Sequence, residues 1–196
     1  MVDFGGTGAM LLVIGVAGLV CAALALLLAR PLGWISALAI AGFVWSLAVI
    51  GAVTLVPTSA HTGIVAAEGR MTTCSWDIGG PAPDGFWIFE SGQRTLNTVL
   101  FVPAGALLVL AVARWRAGWI LAPLGILALG GYSALIEKTQ LELARIDRAC
   151  DVTDVVDNLT GAVLGAAVGL GLVIVLRPWR HRARHDSRPS SGRGSR

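Results

Sequence analysis

Residues 137–165, Glu137 to Gly165, read EKTQLELARIDRACDVTDVVDNLTGAVLG. The first part of this stretch is crowded with carboxylate, guanidinium and amide side chains. Apolar runs flank the crowded part, Gly118 to Ile136 before it and Leu159 to Leu176 after it. Ionisable groups beside or inside hydrocarbon are costly to desolvate, so a cluster of them between two apolar runs marks a functional-site candidate. The stretch therefore predicts two membrane spans joined by a polar link at the bilayer boundary.

Working outward, three more runs have the same character. Ala9 to Ala29 and Trp34 to Val56 are unbroken, and Leu96 to Ala113 is interrupted only by Asn97, Thr98 and Pro103. A hydrocarbon core of roughly 30 Å needs about 20 helical residues at a rise of about 1.5 Å each. Only 14% of the chain is charged against 55% hydrophobic, and a soluble domain would carry about 25% charged residues. The expectation is an all-α fold, a polytopic transmembrane helical bundle of five spans. The chain divides into two N-terminal helices (1–56), an extracytoplasmic loop (57–95), a three-helix core (96–176) and a basic tail (177–196) whose composition predicts disorder. A cleaved signal needs a basic segment before its apolar run. Met1 to Gly8 carries only Asp3, so the first run reads as a retained helix.

Charge sets the expected orientation. Arg30, Arg114, Arg116 and the seven arginines from Arg177 to Arg196 fall on one side of a five-span chain, with Asp186 as the one acid among them. The other side holds the remaining acids. Cytoplasmic segments are enriched in Lys and Arg, so the N-terminus is expected outside and the C-terminus in the cytoplasm. The net charge of +3 is thus a topology signal and no sign of nucleic-acid binding. Trp34, Trp115, Trp119 and Trp179 read as anchors at the inner interface, and Trp76, Phe86, Trp87 and Phe89 as outer-loop residues lying on the membrane surface.

Cys21 falls within the first span and reads as a small buried residue. Cys74 and Cys150 both fall in outer loops, where an oxidising exterior favours a disulfide between them. Their spacing fits no zinc pattern, so a Cys/His metal site is not expected, and no cofactor is implied. In the last span Gly161, Gly165 and Gly169 recur every four residues on one face. Such spacing lets helix backbones approach closely, either inside the bundle or in a homo-oligomer.

The polar candidates gather at the outer ends of spans three to five. Asn97 begins span three. Glu137 and Gln140 share a face if span four continues past Ile136. Arg148, Asp151, Asp154 and Asn158 lead into span five, the last three on one stripe. Asp151 followed by Asp154 reads as an N-cap with an acid at N3, a shortened capping box, and acids there suit the positive end of the helix dipole.

These positions also carry a resemblance. Asn97-x-x-x-Phe101-x-Pro103-x-Gly105, then Ser133-x-x-Ile136-Glu137-x-x-Gln140, then Arg148-x-x-Asp151-x-x-Asp154-x-x-x-Asn158-x-x-Gly161-x-x-x-Gly165 occur in this order. Together they resemble the pattern of the VanZ-like family, named for a teicoplanin-resistance accessory protein, over about residues 96–172. The resemblance implies a multi-pass protein of the bacterial plasma membrane. It implies no assigned catalytic residues.

Three roles for the cluster stand open. It is a structural network in which Arg148 pairs with a carboxylate and the amides satisfy helix ends. Alternatively it binds lipid or a cell-wall precursor at the outer face, with an effect on glycopeptide susceptibility. Arg148 would then grip a phosphate, and Glu137, Asp151 and Asp154 would offer oxygen ligands to Mg²⁺ or Ca²⁺. The third role is a membrane hydrolase or transferase with Glu137 or Asp154 as acid or base, although no nucleophile motif accompanies them. Transport ranks last, because spans one and two have few polar residues beyond Ser36, Ser46 and Thr54.

Overall fold

The structure is a computed structural model, and it describes residues 6–56, 74, 76, 92–143 and 151–178. Among them are five helices, α1 (Thr7–Leu32), α2 (Trp34–Leu55), α3 (Gly92–Val112), α4 (Gly118–Leu143) and α5 (Val152–Leu176). All five are long and apolar enough to cross a membrane, as the apolar runs predict. The polar helix ends extend past those runs. α3 starts at Gly92, inside the stretch expected to be loop, α4 continues through Gln140, and α5 starts seven residues before Leu159. Apolarity alone therefore locates the hydrocarbon part of each helix and misses its polar end turns.

α3 forms the centre and packs along α5. More than half of the most apolar window of α3 is buried, whereas α1 buries 11% of its window and packs on α2 through a small cluster of Cys21, Ala25 and Ala41. The larger core joins Ile50 of α2, Phe101, Ala104 and Leu108 of α3, Leu129 and Ile136 of α4, and Ala162 of α5. Leucines such as Leu12, Leu19, Leu27 and Leu127 are two-thirds exposed or more. In water such faces would be a liability, whereas in a bilayer they meet lipid tails as apolar as themselves.

Without a hydrophobic force between helices, packing and hydrogen bonds must hold them together. Trp45 Nε1 donates to Ile14 O at 3.1 Å, and Tyr132 Oη donates to Leu47 O at 2.9 Å. Ser46 and Thr54 satisfy their hydroxyls on their own helix, donating to Phe43 O and Ile50 O at 2.7 Å, the usual solution for a hydroxyl in a helix. α1 and α2 are joined by one residue. Gly33 has φ 77° and ψ 155°, a backbone conformation open to glycine and strained for other residues.

Candidate functional site

The glycine face decides where the polar residues meet. A Cβ added at Gly161, Gly165 or Gly169 would strike the backbone carbonyl oxygen of Thr98, Val102 or Ala106 respectively. The glycine stripe therefore packs inside the bundle, against α3. Each of these pairs is separated by the same number of residues, and the next rung outward keeps that separation. It is Arg94 and Asp157, 63 residues apart.

Arg94 and Asp157 form a two-pronged ion pair. Nε donates to Oδ2 at 2.9 Å and Nη2 to Oδ1 at 3.1 Å. The side chains are 12% and 2% exposed. Paired forks of this kind combine charge with fixed geometry, and a buried carboxylate needs such a partner. The charges of Asp151 and Asp154 also act on Arg94, so this guanidinium sits among carboxylates.

Around this rung α4 and the start of α5 add hydrogen bonds. Asp151 is the N-cap of α5 and accepts from Thr153 N at 2.8 Å. Asp154 follows at N3, in the first turn. In a capping box the N3 side chain reaches back to the N-cap N–H. Here Asp151 N donates to Glu137 Oε2 of α4 at 3.3 Å, so an acid from another helix reaches the same donor. Asn158 Nδ2 donates to Ser133 Oγ at 2.8 Å, linking α5 to α4. Gln140 Nε2 donates to Thr54 O at 2.9 Å. That carbonyl lies in the last turn of α2, where helical partners run out.

The expected residues thus divide. Asn97, Glu137, Gln140 and Asn158 are buried, while Asp151 and Asp154 are half-buried. All six lie at the end of the bundle where α3 and α5 begin and α4 ends. Asn158 faces inward, and Asp154, on the same predicted stripe, does not share its burial. Arg148 lies outside the described residues, as do Cys150 and with it the expected Cys74–Cys150 bridge; Cys74 is half-buried. Among the described residues, no three His, Cys, Asp or Glu are grouped so as to hold a metal ion. Glu137 accepts the N–H of Asp151, which in turn caps α5.

Two principal members, Arg94 and Asp157, escape a reading by apolar runs. A signal for Asp157 was present, because it stands one turn before Gly161 and so continues the packing face. Arg94 carried a weaker one. It precedes the apolar run and looks like loop until the helix is seen to start at Gly92. Among the described residues, the buried Thr98 Oγ1 and Asn158 Oδ1 find no hydrogen-bond partner, although buried polar groups are nearly always satisfied.

A model of the VanZ/LLP1 family matches residues 19–176 of the chain. No curated protein and no solved structure matches it.

Proposed function

The chain belongs to the VanZ-like family, and on that premise we propose that it binds a lipid or cell-wall precursor at the outer face of the bacterial plasma membrane. Its N-terminus lies outside and its C-terminus in the cytoplasm in this reading. One observation carries it. Carboxylate and amide side chains from α3, α4 and α5 converge at one end of the bundle, and Thr98 Oγ1 and Asn158 Oδ1 there have no hydrogen-bond partner among the described residues. Arg94 is already engaged by Asp157. An incoming headgroup meets the half-buried Asp151 and Asp154 at this end, which favours hydroxyl or amine groups, while Arg148 would supply a cation for phosphate. A Cys74–Cys150 disulfide would tether the first outer loop to this site. Altered teicoplanin susceptibility is the cellular effect expected of a family member acting there.

A second reading has its own support. Arg94–Asp157, Glu137–Asp151 and Gln140–Thr54 each join separate helices or their ends, as a purely structural network would. The test is a pull-down with the full chain in nanodiscs against envelope lipids and wall precursors, read by mass spectrometry. The binding reading expects a retained molecule that is lost in Asp154→Asn and in Arg148→Ala with the unfolding temperature unchanged. Retention unaffected by both substitutions, or no retained molecule, returns the cluster to a structural role. A chemically altered molecule would instead identify a hydrolase or transferase, with Glu137 and Asp154 the first acids to examine.

A further inference from the structure

The end of the bundle opposite the polar cluster carries an unlike surface. Ile35 and Ala39 of α2, Leu110 and Ala111 of α3, and Val173 of α5 pack into one apolar cluster there. Three helix ends therefore lie side by side. Arg114, in the turn between α3 and α4, donates from Nη1 to Leu32 O at 2.7 Å, which draws the end of α1 into the same surface. Its guanidinium also lies over the Trp115 ring, 5.5 Å from the centroid, within the range of a cation–π contact. Arg114 is thus held in place by a carbonyl and an aromatic face.

Arg30, Arg116 and Arg177 stand exposed at this end. Trp34, Trp115 and Trp119 are exposed there too, Trp119 by 78%. Among the described residues no Asp or Glu lies at this end, because all five such acids belong to the last turns of α4 and the first turns of α5. Among the described residues these four arginines meet no acid at the edge of a low-dielectric layer, where their charge attracts anions. Indole rings settle at headgroup depth, and guanidinium forks match phosphate oxygens in pairs.

We propose that this arginine–tryptophan rim is a binding surface for anionic phospholipid headgroups. It is independent of the ligand assigned to the polar cluster, since it uses the other end of the molecule and different residues. An anionic lipid fits better than a zwitterionic one because the latter brings its own ammonium, which offsets its phosphate. The rim also holds the start of α2 and the ends of α1, α3 and α5, so a bound headgroup bridges helices that otherwise meet lipid separately.

The full chain in detergent is titrated with phosphatidylglycerol and with phosphatidylcholine of the same acyl chains. Bound lipid is read by native mass spectrometry and stabilisation by unfolding temperature. Phosphatidylglycerol should bind at least tenfold more tightly, and the preference should shrink as salt rises. Arg30→Gln and Arg116→Gln should each weaken it about fivefold, the worth of one basic residue at an anionic surface. Arg30→Lys with Arg116→Lys keeps the charge and should keep most of the preference, which separates lost charge from a folding defect. The tail supplies further arginines, so Arg180, Arg182 and Arg184 are changed to Gln in a parallel variant. Equal affinity of the unaltered chain for the two lipids would overturn the proposal. So would a preference lost in the tail variant and untouched in Arg30→Gln and Arg116→Gln.

Discussion

Asp157→Asn is the substitution that most directly tests how the N-terminal ends of α3 and α5 are held. The change keeps the side-chain shape and removes one charge from a pair whose members are 12% and 2% exposed. Breaking a buried ion pair by removing one partner costs about 3–5 kcal/mol, because the other charge is left uncompensated. Two features of this site reduce that figure. Arg94 retains some exposure and lies in the field of Asp151 and Asp154, and a long side chain at a helix end can shift its head toward water. We therefore expect a loss of about 2–3 kcal/mol, at the lower edge of the range for broken buried pairs. For a chain of this length each kcal/mol moves the unfolding temperature by about 2–4 °C, so the expected drop is roughly 4–12 °C. Circular dichroism of the detergent-solubilised chain during heating reads it. Arg94→Met and Asp157→Leu should each cost a similar amount, and the two together should recover most of the loss, since an apolar replacement of both partners is often neutral. A drop under about 1 °C for Asp157→Asn, or losses that simply add in the double variant, would refute the claim that this pair clamps the two helices.

The same packing face predicts that Gly161→Ala and Gly165→Ala each cost at least about 1–3 kcal/mol, the usual range for overpacking, because the new methyl meets a backbone carbonyl that has no rotamer to yield. Gly171→Ala has open space and should leave the unfolding temperature unchanged or slightly raised, so the three are compared in one melting series. Gly33→Ala forces alanine to φ 77° at the one-residue link between α1 and α2 and should cost about 1–3 kcal/mol, again read by thermal melting. Asp151→Ala removes the cap on Thr153 N and should cost about 1 kcal/mol, with faster amide hydrogen exchange confined to the first turn of α5. If Cys74 and Cys150 are bonded, a membrane-impermeant maleimide added to intact cells will label them only after reduction, while labelling without reductant would show them to be thiols.

The repeated separation between α3 and α5 explains why these substitutions report on one another. Ala106, Val102 and Thr98 present their backbone to Gly169, Gly165 and Gly161. Lipid supplies no hydrophobic drive for that association, so van der Waals contact and polar bonds carry it. Close approach along three rungs places Arg94 and Asp157 at bonding distance on the fourth. A methyl inserted below the pair therefore moves the pair as well.

Much of this molecule is legible from the residues in order. A span requires about 20 apolar residues because no water reaches the backbone there, so the five runs stand out without any knowledge of contacts. The cap at Asp151 and the packing face of Gly161, Gly165 and Gly169 are local patterns, and they too can be read along one helix. Partnership between helices is different. Asp151 N–H meets Glu137 of α4, Gln140 finds a carbonyl of α2, and Arg94 finds Asp157. Each of these pairings joins residues far apart in the chain through a geometry set by how closely backbones pack. Sequence spacing carries the face of a helix toward the interior. Only the assembled bundle decides which group waits there, because that depends on the axial register of two helices, which for α3 and α5 is held by glycines pressed against carbonyls one to three turns from the ion pair.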